Sequence, residues 1–306
     1  MPADRQTALA IVRAQRSGRP LLRHCAVHPA VEIRAEHVLA PLSHSRELAR
    51  APVSAVLSAE DYQLVQLEAP EVPAAELRSA VRWALRDLVN FPVQEAVIDV
   101  FEVPEHARYV ESRMVFAVAA RGEAVRRVVE LVKPRARGFD VIDIPELCLR
   151  NLSTLLPQDE AGVALLALAE DFAQLVLTCQ GILYLARRID YGARSEALAR
   201  RDTLSLREAA DPELGIEPEL LATELQRSLD YYESHFDRTP ISELVVAAGD
   251  ARGEKVKQAL QSATGLSTSL LDIGELFDVA PGVEADTHFP GLIALGAALR
   301  REGSAP

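Results

Sequence analysis

The feature that most constrains the fold is a series of three strand-length segments in the middle of the chain, joined by very short turns. Val163–Ala169 is an uninterrupted run of apolar residues. Gln174–Cys179 and Ile182–Arg188 follow it, after Glu170-Asp171-Phe172 and after a turn that contains Gly181. Strands joined by so few residues pair in antiparallel order. The stretch therefore predicts a three-stranded antiparallel meander that begins a sheet.

The first part of the chain repeats this pattern, which indicates two similar lobes. Thr7–Val12 and Pro20–Val27 predict a hairpin with its reversal at Ser17-Gly18, and both halves continue with alternating strand and helix signals. Such alternation is typical of α/β architecture. We expect a first lobe at 1–157 with a small subdomain inserted at about 61–120, a second lobe at 158–284, and a C-terminal helix at 285–306 that returns to the first lobe.

The composition narrows the possible functions. Of 306 residues, 49% are hydrophobic and 25% are charged, so the chain can bury an ordinary core. Its 45 acidic residues outnumber 33 basic ones, and a net charge of −12 repels a nucleic-acid backbone. No apolar segment reaches the ~18–20 residues of a membrane span, and the N-terminus is too charged for a signal peptide. We expect a cytoplasmic protein, or one held at a membrane by something else, whose three cysteines are buried reduced thiols.

The inserted subdomain contains a clear amphipathic helix. Pro73 suits its start, and Phe91-Pro92 is expected to end it. Four apolar residues recur at helical spacing and predict the buried face: Leu77, Val81, Leu85 and Leu88.

Trp83, the single tryptophan, falls on the other side of this helix, together with Arg86 and Asn90. A large aromatic residue beside an arginine is typical of a binding hot spot. We therefore predict a partner-binding face formed by Trp83, Arg86, Asn90 and Phe91. The alternative is that a neighbouring subdomain covers Trp83, because a lone tryptophan is usually highly buried.

Three longer segments resemble the PilM family of type IV pilus proteins. They are "VPAAELRSAVRWALRDLVNFPVQEAVIDVFEV", "LATELQRSLDYYESHF" with the following "ISELVVAAGDA", and "VIDIPELCLRNLSTLLP" with "GVALLAL" and "GILYLARRI". The last set is similar in particular to the MshI group of MSHA-type pili. The resemblance covers most of the chain from about Asp61 onward.

This resemblance implies an α/β, two-lobed actin-like ATPase fold, with ribonuclease-H-like lobes whose mixed β-sheets are flanked by helices, and with a small inserted subdomain. The family lies on the cytoplasmic side of pilus machines and is similar to the cytoplasmic part of GspL in type II secretion. Its members bind ATP between the lobes and hold the cytoplasmic tail of an inner-membrane partner of the PilN type, which for the MshI group is MshJ.

The resemblance also locates the positions where a nucleotide would bind. Actin-like ATPases place an Asp-x-Gly turn at each of two hairpins, because the carboxylate orients hydrated Mg²⁺ and the glycine lets backbone N–H groups approach the phosphates. In the second hairpin these positions fall on Ala167 and Ala169, and the adenosine glycine pair corresponds to Ala248-Gly249. A shifted register that uses Asp171 still lacks the glycine.

The first hairpin contains no carboxylate between Asp4 and Glu32 but carries four arginines, which cannot ligate magnesium. We therefore expect no nucleotide cofactor, although binding of ATP and Mg²⁺ without hydrolysis stays open. No other motif indicates an enzyme: there is no Gly-x-Ser-x-Gly elbow and no Gly-x-x-x-x-Gly-Lys loop.

A zinc site at "HCAVH" is also not expected. On a strand, His24 and His28 lie on one face and Cys25 on the other, so the three cannot converge.

Two hypotheses follow. The first is a non-enzymatic scaffold, a pseudo-ATPase that is peripheral to the inner membrane through a partner of the PilN or MshJ type, with a secretion ATPase as a further candidate partner. The second is an ATP-binding conformational switch of the PilM type.

Overall fold

A computed structural model describes residues 6–29, 35–39, 48, 51–103, 113–191 and 216–300. Its strands are β1 (Gln6–Arg13), β2 (Leu21–Pro29), β3 (Pro52–Val56), β4 (Tyr62–Glu68), β5 (Ala96–Glu102), β6 (Met114–Arg121), β7 (Gly138–Asp143), β8 (Val163–Leu168), β9 (Phe172–Cys179), β10 (Ile182–Asp190), β11 (Glu243–Ala247), β12 (Ser267–Leu270) and β13 (Asp278–Val279). Its α-helices are α1 (Ala35–Val38), α2 (Ala74–Ala84), α3 (Gly122–Val132), α4 (Pro145–Ser153), α5 (Pro218–His235), α6 (Arg252–Thr264), α7 (Ile273–Leu276) and α8 (Phe289–Ala298).

The second half of the chain builds a five-stranded sheet in the order β10-β9-β8-β11-β12. The meander β8-β9-β10 is antiparallel, and β11 joins β8 in parallel, with Leu244 opposite Ala164. Every residue of β8 is buried, because β8 lies in the middle of the sheet and α4 packs against it. The run of apolar residues that begins at Val163 is therefore the centre of the largest core.

The first half builds a different arrangement from similar parts. β1 and β2 form the expected antiparallel hairpin, and β13 adds to β2 in parallel, so that this sheet has the order β1-β2-β13. β3 and β7 form a separate parallel pair. Nothing in the sequence indicated β13, a two-residue strand whose Asp278 and Val279 lie opposite Leu21 and Leu22.

The inserted subdomain is a three-stranded antiparallel sheet, β4-β6-β5, covered on one face by α2. Leu77, Val81 and Leu85 are buried as predicted, but the placement of Leu88 on the buried face was wrong, since its side chain is 53% exposed. The α-helix ends at Ala84 and continues as a 3-10 turn at Leu85–Asp87. The tighter winding of that turn rotates Leu88 away from the helical stripe.

Helix α8 connects these parts. It packs against α4 and against β1, β2 and β3. Its Gly296 lies so close to α4 that an added Cβ would meet the carbonyl oxygen of Cys148 at 2.0 Å. Asn151 of α4 donates from Nδ2 to the Gly296 carbonyl at 3.0 Å. The absence of a side chain at Gly296 thus allows the two helices to touch backbone to backbone.

Several predictions remain outside what the structure decides. The lobe boundaries stay predictions. The helix expected at Ala35–Leu48 is described only at Ala35–Val38, and 40–47 lie outside the described residues. Across the described ranges, no helix has both the length and the apolar character of a membrane span.

Candidate functional site in the cleft

A large cleft of about 2280 Å³ lies against both hairpins and α8. From the second half of the chain it is lined by the β8–β9 turn and by the segment after β11. The predicted nucleotide positions lie near each other, because β8 and β11 are paired neighbours and Ala167 is opposite Ala247. Of the four, Ala169 and Gly249 line the cleft. Neighbouring parallel strands end at the same edge of a sheet, which is where α/β proteins commonly bind ligands.

The phosphate positions in this hairpin carry no polar side chain. Ala167 is fully buried and Ala169 nearly so. The turn is closed by the Ala169 N–H, which donates to the Phe172 carbonyl at 2.8 Å. Neither Glu170 nor Asp171 has a positive φ. The turn is therefore a tight hairpin of ordinary backbone, without the glycine that a close phosphate approach favours.

Arg252, at the start of α6, covers the tip of this hairpin. Its guanidinium donates to the carbonyl oxygens of Ala169 at 3.2 Å and Glu170 at 3.4 Å, and it forms an ion pair with Asp250 at 2.8 Å. Tyr191 donates from its hydroxyl to the same Ala169 carbonyl at 2.8 Å, and burial raises the Tyr191 pKa. Carbonyl oxygens and a paired arginine thus face the place where backbone N–H groups would hold a phosphate.

Gly249, the retained half of the adenosine glycine pair, is covered by the chain itself. A Cβ added there would meet the backbone nitrogen of His288 at 2.6 Å. Asp286 fixes this segment, because its Oδ1 accepts from the His288 N–H at 3.0 Å and lies 2.9 Å from the imidazole Nδ1. Gly249 is required because the backbone of His288 approaches it so closely. The place of Gly249 after a strand did not predict this contact.

Aromatic side chains join the two sides of the cleft. Phe172, at the start of β9, meets Phe289, the first residue of α8, edge to face at 5.0 Å between ring centroids. The Arg188 guanidinium lies 3.5 Å above the Phe172 ring and forms an ion pair with Asp190 at 2.7 Å. The Arg188 side chain is therefore bound by Phe172 and Asp190, and that of Arg252 by Asp250 and the hairpin carbonyl oxygens.

The first hairpin, β1-β2, is bound by a later segment of the chain, around α7 and β13. Arg19 donates to the Gly274 carbonyl at 2.6 Å, and Gln15 donates to the Asp278 carboxylate at 2.8 Å. Its turn is thereby anchored to the segment that forms α7 and β13. No group of three or more His, Cys, Asp or Glu side chains suited to a metal ion occurs among the described residues.

In the segment "HCAVH", where no zinc site was expected, Cys25 is buried beside α8 and its thiol lies 3.5 Å from the Asp286 carbonyl oxygen. Burial raises the pKa of Cys25 to about 11, and burial followed by the neighbouring His28 lowers that of His24. All three cysteines are buried and free.

The four residues of the predicted partner-binding face lie on the inserted subdomain. Trp83 is 73% exposed, so the described structure does not cover it, and the burial alternative was wrong. Arg86 is exposed in the following 3-10 turn. Asn90 and Phe91 are tied to β6 by a residue that the sequence did not single out, Arg121.

The Arg121 guanidinium lies 4.5 Å from the Phe91 ring centroid and donates to the Asn90 side-chain oxygen at 3.3 Å. The Asn90 N–H donates to the Gln63 side chain at 2.8 Å. The turn that presents Asn90 and Phe91 is thus fixed by the subdomain itself, whereas Trp83 projects into solvent.

Comparison with known proteins identifies the fold. No family model and no curated protein matches the chain. Among solved structures, it is similar to a PilM–PilN type IV pilus biogenesis complex, at a TM-score of 0.64 and 23% identity over 96% of this chain and 95% of that chain. The chain has the actin-like ATPase fold, and the predicted fold class is confirmed.

Two further structures are similar at lower scores. One is a Bacteroides thetaiotaomicron protein of unknown function with an actin-like ATPase fold, at a TM-score of 0.45 and 7% identity over 95% of each chain. The other is the cytoplasmic domain of EpsL, an inner-membrane component of the Vibrio cholerae type II secretion system, at a TM-score of 0.42 and 11% identity over 98% of this chain and 100% of that chain.

Proposed function

We propose that this protein is a cytoplasmic scaffold of a type IV pilus assembly machine, which binds an inner-membrane partner of the PilN type and works without nucleotide hydrolysis. The observation that carries the proposal is the combination of a fold similar to that in a PilM–PilN complex with a second hairpin that presents Ala167 and Ala169 where an actin-like ATPase needs Asp and Gly. The chemistry for phosphate is missing, while the fold that presents protein surfaces is present.

The contacts in the cleft support the pseudo-ATPase part of the proposal. Mg²⁺ needs oxygen ligands, and carboxylates are the usual protein ones. The end of β8 offers buried methyl groups, and the hairpin tip offers carbonyl oxygens that Arg252 already occupies. His288 lies over Gly249. The alanines of the second hairpin and the covered Gly249 therefore do not fit a nucleotide held in the usual way.

The partner-binding part rests on the PilM–PilN likeness and on the exposed Trp83. The partner would be of the PilN type or, if the chain belongs to the MshI group of MSHA pili, of the MshJ type; a secretion ATPase is a further candidate. Binding to such a partner would place the protein at the inner membrane without a span of its own. Trp83, Arg86, Asn90 and Phe91 are the proposed docking face.

Calorimetric titration with ATP and Mg²⁺ tests the first part. We expect no heat of binding at micromolar nucleotide, because alanine stands at both positions of the second hairpin, 167 and 169, where the fold family places its Asp and Gly. Micromolar, magnesium-dependent binding would overturn the pseudo-ATPase proposal and favour the alternative, an ATP-binding switch of the PilM type. The size of the cleft and the retained Gly249 are the observations that favour that alternative.

A pull-down with a synthetic peptide of the partner's cytoplasmic segment tests the second part. Trp83→Ala and Arg86→Glu should each weaken capture, since large aromatic and arginine side chains carry most interface energy. Leu270→Ala, which removes an exposed apolar side chain from the second-lobe sheet, is the matched control and should leave capture unchanged. Equal capture by all three variants would reject this face.

A further inference from the structure

The short segment at the start of helix α8 contacts both halves of the molecule. We call this segment, residues 286–289, the strap; it ends in the first residue of α8. On one side, the Cys25 thiol of β2 donates to the Asp286 carbonyl oxygen at 3.5 Å. On the other side, the Phe289 ring meets the Phe172 ring of β9 at 5.0 Å between centroids. The strap therefore joins the first hairpin to the sheet of the second half.

The strap also fits closely against the turn that follows β11. A Cβ added to Gly249 would meet the His288 backbone nitrogen at 2.6 Å and its Cα at 2.7 Å. Distances this short leave no room for a side chain at Gly249, so the two backbones are in direct contact. Consecutive strap residues, His288 and Phe289, thus contact two separate elements of the second-half sheet, the turn after β11 and the start of β9.

The shape of the strap is fixed by its own contacts. The Asp286 carboxylate accepts from the His288 N–H at 3.0 Å and lies 2.9 Å from the imidazole Nδ1. Pro290 follows in the first turn of α8, where its ring restricts the backbone. A Cβ added to Gly291 would meet the Asp286 carbonyl oxygen at 2.1 Å, so the strap folds back directly onto the helix. The strap is a preformed turn with no slack.

Because of the strap, helix α8 is attached to the second half at both of its ends. Near its C-terminal end, Gly296 touches α4, which packs against β8, β9 and β10. Near its N-terminal end, Phe289 and the rest of the strap contact the same sheet from the cleft. Phe289 and Gly296 lie about 10 Å apart along the helix. A helix attached at one point can turn about that contact, whereas attachment at two separated points prevents the rotation.

The position of α8 in turn sets the position of the first-half strands, since α8 packs against β1, β2 and β3. Closure of two domains is commonly held by a ligand that contacts both sides of the cleft between them. In this chain the strap makes contacts of that kind with protein groups on each side. The same segment therefore connects the first-half strands, α8 and the second-half sheet.

We propose that the strap is a built-in lock, which holds the cleft at one degree of opening through protein contacts alone. It has the role that a bound ligand has in proteins whose domains close around one. The inference does not depend on the identity of the membrane partner. Its failure would leave the proposed function in place, because partner capture and nucleotide titration test that function separately.

Cys25 provides a native reporter for the lock, because its thiol is buried beneath the strap. Maleimide labelling of the full chain, followed by mass spectrometry, measures how fast Cys25 becomes accessible. Phe172→Ala removes the aromatic contact on the far side of the strap and does not alter β2. We expect Cys25 to be labelled about two- to tenfold faster in this variant, since an edge-to-face aromatic pair shifts a two-state equilibrium by about that factor.

Phe101→Ala is the matched control. It removes a half-buried ring that stacks on Phe116 in the inserted subdomain, at 5.1 Å between centroids, and should leave the labelling of Cys25 unchanged. Equal rates in Phe172→Ala and the parent would show that the strap does not connect the two sides, and the lock would be wrong. Equal acceleration by Phe101→Ala would point to general destabilisation and would also reject it.

A second measurement tests whether the cleft itself moves. Spin labels at Ala59→Cys, after β3, and Ala263→Cys, in α6, report the distance between the two halves; both positions are exposed, and Cys25→Ala prevents labelling beneath the strap. The parent background should give one narrow distance distribution. Phe172→Ala combined with Gly291→Ala loosens both faces of the strap and should broaden the distribution toward longer distances. An unchanged distribution in that variant, or a broad one already in the parent background, would overturn the lock.

Discussion

The sheet of the second half and the strands of the first half begin with the same plan and end differently. Both start from an antiparallel hairpin, and both place a parallel strand and a helix after it. In the second half, β8 is buried along its whole length between β9 and β11. In the first half, β1 is only half-buried and has one partner, β2, among the strands that the structure describes. A shared pattern of elements thus yields one continuous five-stranded sheet in the second half and two separate sheets, β1-β2-β13 and β3-β7, in the first half.

The difference follows from side chains and from later parts of the chain. β8 reads VALLAL and β11 reads ELVVA, whereas β3 reads PVSAV, with a proline and a serine in five residues. Smaller and more polar side chains gain less from burial in the centre of a sheet. The first half is held together in addition by β13 and α8, which arrive from the C-terminal part of the chain.

The largest expected effect contrasts the two central strands directly. Leu165→Ala in β8 should lower the free energy of unfolding by about 2–5 kcal/mol, because it leaves a cavity in a fully buried position. Leu9→Ala in β1 should cost about 1 kcal/mol, since that side chain is only half-buried. Urea denaturation followed by circular dichroism measures both. Equal losses would show that β1 is as well packed as β8.

The next effect concerns the helix that lies against the two sheets of the first half. Gly296→Ala should cost about 1–3 kcal/mol, because the new methyl group would collide with the Cys148 carbonyl and separate α8 from α4. Ala298→Ser at the end of the same helix is the control and should change the unfolding free energy much less. A melting temperature unchanged by Gly296→Ala would show that the two helices can move apart without loss.

A smaller effect depends on pH. Glu146 of α4 is buried and accepts a hydrogen bond from the Tyr62 hydroxyl of β4 at 2.6 Å. Burial raises the Glu146 pKa above its ordinary value of 4.5, and the Tyr62 hydrogen bond opposes this only in part. The folded state therefore holds the proton more tightly than the unfolded state, and the stability that this gives is lost as the pH rises through the raised pKa.

Glu146→Gln removes this titration and keeps a polar group beside Tyr62. Between pH 5 and pH 8, the unfolding free energy of the variant should fall less than that of the parent, as denaturation at several pH values would measure. The exposed Glu275→Gln is the control and should follow the parent. Parallel curves for parent and Glu146→Gln would contradict the raised pKa.

The smallest effect on stability is expected at Trp83. Trp83→Ala should change the unfolding free energy by less than about 0.5 kcal/mol, because its side chain lies in solvent. The same change should weaken partner capture, as proposed above. A large loss of stability would show that Trp83 packs against the protein and is no free docking residue.

Much of the fold could be predicted because local patterns carry it. The meander from Val163 and the hairpin around Gly18 were predicted within a few residues, since strand length and turn residues are local properties. The error at Leu88 came from assuming that one helical period continued to Phe91, when a 3-10 turn at Leu85–Asp87 interrupts it.

The candidate site could be predicted only in part. The alanines at positions 167 and 169 were visible by resemblance, and the structure brings them beside Gly249. The arginine at position 252, which covers the hairpin, and the approach of His288 to Gly249 could not be predicted, because they join residues that are far apart in the sequence or follow from the path of a loop.

The sequence by itself determined most of the segments that become strands and helices and placed alanine at positions 167 and 169, because these depend on side-chain type and on spacing along the chain. Tertiary structure alone decided which strand edges meet, that β13 joins β2, and that β1 and β3 do not pair. The physical reason is that strands pair through backbone groups that nearly every residue shares, so the choice of partner is made by packing across the whole molecule.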